Sequence, residues 1–248
     1  AQAASTKQLR IHSIETFGTH DGPGIRMVVF AQGCHFRCLY CANPDTLDLD
    51  GGRLVDIEEI VQRAIRQKPY FGKKGGVTVS GGEPTLQSKA LLALFQRLHE
   101  AGIHTALDSN GILLDDDVKA LQEETDLLLL DVKHIDEEWH AHITGRSNKS
   151  VLKVAAYRES IGKPFWLRYV LVPGLSDQEE HLHKLGQHFQ NYQHIEKIEI
   201  LPYHQLGVHK WKALGKEYKL NGVAPPDAAC IARARDIFAQ YFREVKVN

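Results

Sequence analysis

The chain has 248 residues, of which 43% are hydrophobic, and its 30 Lys and Arg side chains nearly balance 31 Asp and Glu side chains. A net charge of -1 excludes the strongly positive field of a general nucleic-acid-binding protein, so we expect no nucleic-acid partner. No apolar run approaches the roughly 20 residues that cross a bilayer, and residues 1–7 contain no apolar signal segment. We therefore expect a cytoplasmic chain without a membrane partner.

Strand-like and helix-like segments alternate along the chain. Fully apolar short runs, such as residues 127–132, are typical of strands buried on both faces of a parallel sheet, and apolar residues at helical spacing indicate helices between them. The predicted strands cover residues 9–17 (as a strand or hairpin), 25–31, 77–80, 104–107, 127–132, 165–172, 195–201 and the final VKV. The predicted helices cover residues 57–67, 88–101, 115–123, 136–143, 150–160, 177–192 and about 225–242.

The pattern predicts the fold class. Six βα units without a linker rich in Pro, Gly or Ser indicate one domain over residues 1–248, with residues 1–8 irregular. A complete eightfold barrel needs two more units. We therefore expect an α/β fold that forms a partial, open (β/α)6 TIM-like barrel of parallel strands. In such folds the functional residues follow the carboxyl ends of the strands.

Three of the four cysteines, Cys34, Cys38 and Cys41, lie within eight residues directly after a predicted strand. Clustered thiols in a chain of this length indicate metal or redox chemistry rather than a disulfide framework. Three thiolates can bind three corners of an iron–sulfur cubane, which ordinarily takes four cysteines, and this leaves one iron open. The alternatives are a zinc-held interaction module, with His35 as a fourth ligand, and a redox pair of Cys38 with Cys41. Cys230 stands alone and is typical of a buried helical thiol.

Other polar residues follow the later strands. The two glycines of SGGEP (residues 80–84) allow close backbone approach and leave polar groups for a ligand, although a simple turn has the same pattern. Asp131 and Lys133 lie on one side of a strand, which suits either a local ion pair or a ligand site. Arg168 interrupts an apolar strand and needs a ligand or a structural counter-ion. His204 follows the sixth strand, where a lone histidine is usually structural.

The spacing Cys-x3-Cys-x2-Cys, with Tyr40 before the last cysteine, resembles the signature of the radical S-adenosylmethionine (SAM) superfamily. Residues 81–84 resemble its GGEP motif. The resemblance implies that the three cysteines hold a [4Fe-4S] cluster, whose open iron binds the amino and carboxylate groups of SAM. One-electron cleavage of SAM then yields a 5'-deoxyadenosyl radical.

Further segments resemble one group within the superfamily, the activases of glycyl radical enzymes. These activases are oxidoreductases. DGPGIR (residues 21–26), DSNG (108–111), DVK (131–133) and residues 209–226 are similar to segments of the activating enzymes of pyruvate formate-lyase. No cysteine lies between Cys41 and Glu83, so the ferredoxin-like insert of other activases is missing. The implied partners are pyruvate formate-lyase and reduced flavodoxin or ferredoxin, and the implied state is a monomer. An activase of another glycyl radical enzyme, or a radical SAM enzyme acting on a small molecule, such as a carboxydeazaguanine synthase, remains an alternative.

The resemblance also implies roles for single residues, with no catalytic side chain beyond the cluster and the cofactor. The residues expected to bind SAM are Tyr40, Gly81, Gly82, Glu83, Asp108, Asp131, Lys133, Arg168, Val170 and His204. The residues expected to hold a monovalent cation (Na+ or K+) are Asp108, Ser109, the carbonyl of Leu129, and Asp131. Ser109 replaces the threonine of the family and keeps a hydroxyl. Asp21 is expected to receive the glycine loop of the partner protein.

Overall fold

The computed structural model describes residues 7–248, which hold nine β-strands and eight α-helices. This part of the chain divides into two compact units: unit 1 comprises residues 7–35 with 46–129, and unit 2 comprises residues 36–45 with 130–248. Residues 1–6 of the segment expected to be irregular lie outside the described residues, whereas Lys7 forms a turn and Gln8 begins a strand. No described helix has the length and apolar character that crossing a bilayer requires.

Unit 1 contains five complete strands. They are β1 (Gln8–Gly18), β2 (Arg26–Ala31), β3 (Arg53–Asp56), β4 (Gly76–Gly81) and β5 (His104–Ser109), in the order β3-β1-β2-β4-β5. β2, β4 and β5 are parallel, as predicted. β1 is a single strand that pairs antiparallel with β2 and with β3. The strands are therefore mostly, not wholly, parallel.

The helices of unit 1 are α1 (Ile57–Phe71), α2 (Ser88–Glu100) and α3 (Asp116–Glu124). The apolar residues that recur at helical spacing in α2, including Leu91 and Leu98, are buried. Asp56 directly precedes α1, but its carboxylate forms no cap hydrogen bond. It accepts a bond from Gln8 Nε2 (3.0 Å) because the pairing of β1 with β3 places Gln8 opposite Asp56.

Strand β6 (Leu127–Asp131) begins in unit 1 and ends in unit 2. Within unit 2, β7 (Phe165–Leu171), β8 (Ile195–Pro202) and β9 (Val245–Val247) are parallel neighbours in that order. The helices of unit 2 are α4 (Glu137–Thr144), α5 (Lys149–Ser160), α6 (Glu179–Phe189), α7 (Val208–Ala213) and α8 (Ala228–Phe238). α8 starts after the predicted Pro225 because Asp227 caps it, accepting a bond from the backbone N of Cys230 (2.7 Å).

The parallel register brings strand ends together in unit 1. Ala31 lies opposite Gly81, and Val79 lies opposite Leu107, so the segments after β2, β4 and β5 leave the sheet at one end. Cys34 follows β2, Glu83 follows β4, and Asp108 lies near the carboxyl end of β5. Asp21 instead precedes β2 and therefore lies toward the opposite end of that strand.

Candidate active site

Two glycines let β4 end against the segment that contains Cys34. Gly81 has a φ of +105°, and a Cβ on it would lie 2.6 Å from the backbone N and O of Ala31. A Cβ on Gly82 would overlap the carbonyl oxygen of Gly33. The backbone N of Gly82 donates to the carbonyl of Ala31 (2.9 Å). Because a side chain would force the two backbones apart, both glycines are needed for this close approach.

Glu83 is fully buried, and both of its carboxylate oxygens accept hydrogen bonds. Oε1 accepts from the backbone N and the hydroxyl of Thr85 (3.0 and 2.6 Å) and from the hydroxyl of Ser109 (2.8 Å). Oε2 accepts from the backbone N of Asn110 (2.7 Å). Burial raises the pKa of Glu83, and these hydrogen bonds oppose the rise. The carboxylate ties the end of β4 to the end of β5, and its contact with SAM stays a prediction.

Asn110, which sequence reasoning did not single out, contacts Cys34. Asn110 Nδ2 lies 3.5 Å from Cys34 Sγ and donates a hydrogen bond to it, and both side chains are buried. Asn110 Oδ1 accepts from the backbone N of Ile112 (3.1 Å). The only hint in the sequence was the position of Asn110 in DSNG, directly after a strand.

The other predicted cation ligands of unit 1 have protein partners. Asp108 Oδ2 accepts from the hydroxyl of Ser80 (2.6 Å), and the Ser109 hydroxyl, besides its bond to Glu83, accepts from the backbone N of Gly111 (3.0 Å). Leu129 is buried in β6. Within residues 7–248 no group of three or more His, Cys, Asp or Glu side chains is arranged to hold one metal ion. A cubane binds each thiolate through a different iron, so this finding concerns single-ion sites.

The part of the cysteine loop that belongs to unit 2, residues 36–45, is bonded to the end of α4. The backbone N of Arg37 donates to the carbonyl of Thr144 (2.8 Å), and that of Leu39 donates to the carbonyl of Ile143 (3.0 Å). These two bonds lie on either side of Cys38 in the sequence. They fix the backbone that presents its thiol.

Helix α7, which was not predicted, holds the other end of this loop. Trp211 Nε1 donates to the carbonyl of Cys41 (2.8 Å). Gly207, just before α7, lies so close to the loop that a Cβ on it would be 2.6 Å from Ala42 Cα. Burial raises the pKa of the Cys41 thiol, and its hydrogen bond with the backbone of Asn43 opposes the rise.

Tyr40 is buried in an apolar cluster that includes Ile143, Val172, Tyr203, Tyr218 and Leu220. Lys133 Nζ lies 5.8 Å from the centroid of its ring and 2.7 Å from Asp131 Oδ2. Burial is the largest single influence on the pKa of Lys133 and would lower it, but the charges of Asp131, Tyr40 and Cys38 and the hydrogen bond to Asp131 together hold the pKa above the ordinary lysine value. The sequence left open whether Asp131 and Lys133 form a local ion pair or a ligand site, and the structure contains the ion pair.

The remaining residues predicted to bind SAM in unit 2 have separate surroundings. Arg168 Nε lies 3.5 Å from Glu199 Oε2, and both side chains are nearly buried, which is the structural ion pair that the sequence left open. Val170 is half-buried and packs against the Tyr40 cluster. His204 is exposed, and its Nδ1 accepts from the backbone N of Leu206 (3.3 Å). Their contacts with SAM stay predictions.

Asp21 lies in the loop before β2, half-buried. Its backbone carbonyl accepts from the hydroxyl of Thr78 (2.6 Å). Arg26, the last residue of DGPGIR, is fully buried and donates to Thr78 Oγ1 (2.5 Å) and to the carbonyl of Val77 (2.8 Å). Burial lowers the pKa of Arg26 to about 10, against the charges of Asp126 and Asp21. The motif thus has a structural role here, and the contact of Asp21 with a partner stays a prediction.

Known proteins resemble this chain over most of its length. The model of the radical SAM superfamily matches residues 28–186. The pyruvate formate-lyase-activating enzyme of Staphylococcus epidermidis is 48% identical over 232 residues, which are 90% of this chain and 92% of that protein. The enzyme of the same name from Staphylococcus aureus is 47% identical over the same shares of the two chains, 90% and 92%. The chain belongs to the radical SAM superfamily, in the family of the pyruvate formate-lyase-activating enzymes.

Solved structures support the radical SAM fold. A domain of a pyruvate formate-lyase-activating enzyme from Bacteroides vulgatus aligns with a TM-score of 0.60 at 24% identity, over 70% of this chain and 99% of that chain. Streptococcus suis SuiB, bound to its precursor peptide SuiA, aligns with a TM-score of 0.69 at 16% identity, over 89% of this chain and 48% of that chain. At these identities the likeness concerns the fold alone. The predicted α/β class with a mostly parallel, open sheet is confirmed.

The family implies a [4Fe-4S] cluster and SAM, and the cysteines of this radical SAM chain fit the cluster. Cys34, Cys38 and Cys41 form no disulfide, and thiolates are the ligands that iron–sulfur clusters take. The amide of Asn110 is directed at one of these sulfurs, and such outer hydrogen bonds accompany metal-binding side chains generally. The backbone bonds from α4 and α7 hold the loop that contains the other two.

Proposed function

We propose that this protein activates pyruvate formate-lyase by generating a glycyl radical on it through reductive cleavage of SAM. The observation that carries the proposal is the 48% identity, over 90% of the chain, to an enzyme named for this activity. The cysteine loop supports it, because its three thiols, none of them in a disulfide, suit a cubane with one open iron.

When bound, the cluster and SAM supply the one-electron chemistry, and the protein positions both and excludes water. Cys34, Cys38 and Cys41 hold the cluster. The glycines at 81 and 82 let the end of β4 approach the segment before Cys34. The apolar cluster around Tyr40 keeps water away from the loop between Cys38 and Cys41.

The finer assignments belong to the same proposal. SAM is bound by Tyr40, Gly81, Gly82, Glu83, Asp108, Asp131, Lys133, Arg168, Val170 and His204, and Asp21 meets the glycine loop of pyruvate formate-lyase. Na+ or K+ is held by Asp108, Ser109, the Leu129 carbonyl and Asp131, all of which offer the oxygen ligands that hard cations prefer. Titrating SAM in Na+, K+ and a large organic cation tests this site, because equal SAM affinities in all three would contradict it.

We further propose that the protein works as a monomer with one radical SAM domain and that reduced flavodoxin or ferredoxin supplies the electron. None of its four cysteines forms a disulfide, which suits the cytoplasm, where thiols are kept reduced. Stopped-flow mixing with each reduced donor would identify the reductant, and light scattering during activation would reveal any larger assembly.

The decisive experiment is anaerobic reconstitution with pyruvate formate-lyase, SAM and a reductant, followed by electron paramagnetic resonance. We expect a glycyl doublet with the native chain and none with Cys38→Ser. Cys230→Ser is the matched control, because Cys230 lies in α8, with its Sγ 3.9 Å from Asp177. It should keep the full signal. A doublet that survives Cys38→Ser would overturn the proposal, as would a fully loaded native protein that cleaves SAM only with a small molecule.

A further inference from the structure

We propose that Asn110 is a positioning residue that raises the reduction potential of the cluster through its hydrogen bond to the sulfur of Cys34. The inference rests on the proposed function, because it takes Cys34 to be a cluster ligand. Asn110 is not among the residues that the family resemblance assigned to SAM, cation or cluster.

The contact between the two side chains is shielded from water. Asn110 Nδ2 lies 3.5 Å from Cys34 Sγ, and the two residues are only 7% and 6% exposed. Both belong to unit 1, and Cys34 is further fixed by its backbone N, which donates to the carbonyl of Leu47 (3.4 Å). A hydrogen bond in such surroundings acts more strongly than one in water.

One further bond settles which end of the Asn110 side-chain amide faces the sulfur. The backbone N of Ile112 donates to Oδ1 (3.1 Å). The reversed amide would place an NH2 group against this N–H donor, so the observed orientation is the favourable one. The backbone N of Asn110 is held by Glu83 Oε2 (2.7 Å). Glu83 therefore holds the backbone from which the Asn110 side chain reaches Cys34.

The direction of the effect follows from charge. Reduction of a [4Fe-4S] cluster adds one negative charge, part of which lies on the cysteine sulfurs. A hydrogen-bond donor at a sulfur stabilises the reduced form more than the oxidised form, and hydrogen bonds to sulfur are among the factors that set cluster potentials. Removing the donor should therefore make the cluster harder to reduce.

The experiment is a redox titration of the reconstituted native protein, Asn110→Leu and Asn110→Asp, monitored by the electron paramagnetic resonance of the reduced cluster. Asn110→Leu removes the donor, and we expect a threefold to tenfold fall in the ratio of reduced to oxidised cluster at fixed potential, which for one electron is about 28 to 59 mV. Asn110→Asp also adds a negative charge near the sulfur, so the ratio of reduced to oxidised cluster should fall further in this variant. Iron and sulfide content is measured in parallel.

Asn148→Leu is the matched control. Asn148 is also buried, at 3% exposure, and its Nδ2 donates to the carbonyl of Ile135 (2.7 Å) and to no sulfur. It should lose stability and keep the native potential. An unchanged potential in both loaded Asn110 variants, an equal shift in Asn148→Leu, or loss of the cluster from both Asn110 variants would overturn the inference. A native protein that loads no cubane would instead overturn the proposed function together with it.

Discussion

Replacing Glu83 with Gln tests whether the carboxylate stabilises the fold itself, separately from any cofactor. The side chain is fully buried and receives four hydrogen bonds, from the backbone N and hydroxyl of Thr85, the hydroxyl of Ser109 and the backbone N of Asn110. Glutamine has nearly the same shape but offers one acceptor oxygen and one NH2 group. The substitution therefore changes hydrogen bonding and charge without creating a cavity.

The expected loss of stability follows from the number of hydrogen-bond donors that the substituted side chain leaves without an acceptor. With its oxygen toward the backbone N of Asn110, the NH2 group of the substituted glutamine would face Thr85 and Ser109. Their hydroxyls can rotate to accept, but the backbone N of Thr85 cannot, and one unsatisfied buried donor costs about 1–3 kcal/mol. The remaining hydrogen bonds become weaker because their acceptor is no longer charged. A neutral amide costs less free energy to bury than a carboxylate, which offsets part of this loss. We expect Glu83→Gln to lower the free energy of unfolding by about 2–3 kcal/mol.

The assay is urea denaturation of the cluster-free protein under anaerobic conditions, followed by circular dichroism. A loss of this size should lower the urea midpoint by about 1 M. Glu59→Gln, an exposed change in the first turn of α1, is the control and should shift the free energy by less than about 1 kcal/mol. A midpoint for Glu83→Gln that matches the control would refute the reasoning, because the four bonds would then contribute nothing net.

Three other changes have clear expected outcomes. Gly207→Ala places a Cβ 2.6 Å from Ala42 Cα, and overpacking of this kind costs about 1–3 kcal/mol, so iron content after reconstitution should fall. Trp211→Phe removes the donor to the Cys41 carbonyl, and loss of the cluster to a chelator should accelerate about fivefold, the equivalent of one hydrogen bond of roughly 1 kcal/mol. Burial next to His181 lowers the pKa of His134 from 6.5 to about 4. The unfolded chain is therefore protonated at a higher pH than the folded protein, and the free energy of unfolding should fall by up to about 3 kcal/mol from pH 6.5 to pH 4.

Each of these predictions has a control. Gly215 has a φ of +66° and no atom within 4 Å of an added Cβ, so Gly215→Ala brings backbone strain without a clash and should leave iron content unchanged. Trp166→Phe removes a similar bond, from Nε1 to Glu196 (2.7 Å), and should not affect cluster loss. His134→Asn should flatten the pH profile of urea midpoints, and a profile identical to that of the native protein would count against the buried histidine as its source.

The local pattern of apolar and polar residues predicted most of the helices and strands. The elements that it missed were missed for physical reasons. Apolar runs such as that of β6 indicate buried strands whatever surrounds them. β3 was missed because only Val55 of its four residues is buried, and it is a strand through its pairing with β1. α7 was missed because none of its six residues is buried, and its two half-buried apolar residues, Val208 and Trp211, are too few to reveal a helical pattern.

Within the site, residue types were predictable and partners were not. The spacing of Cys34, Cys38 and Cys41 predicted the donor set and, through the family resemblance, the cofactors. The contacts that hold these cysteines come from distant parts of the chain. Asn110 is 76 residues from Cys34, and Trp211 is 170 residues from Cys41. Sequence spacing cannot predict contacts between residues this far apart in the chain.

The sequence by itself determined the chemistry that is available: three thiols in one loop, two glycines and a glutamate after a strand, and strands and helices in alternation. Only the tertiary structure decided which groups meet. Whether Asp131 pairs with Lys133, or Arg168 with Glu199, depends on the approach of backbone segments and on the exclusion of water. The physical reason is that helical and strand periodicity follow from neighbouring residues, whereas hydrogen-bond partners, burial and pKa values follow from contacts between segments that only folding brings together.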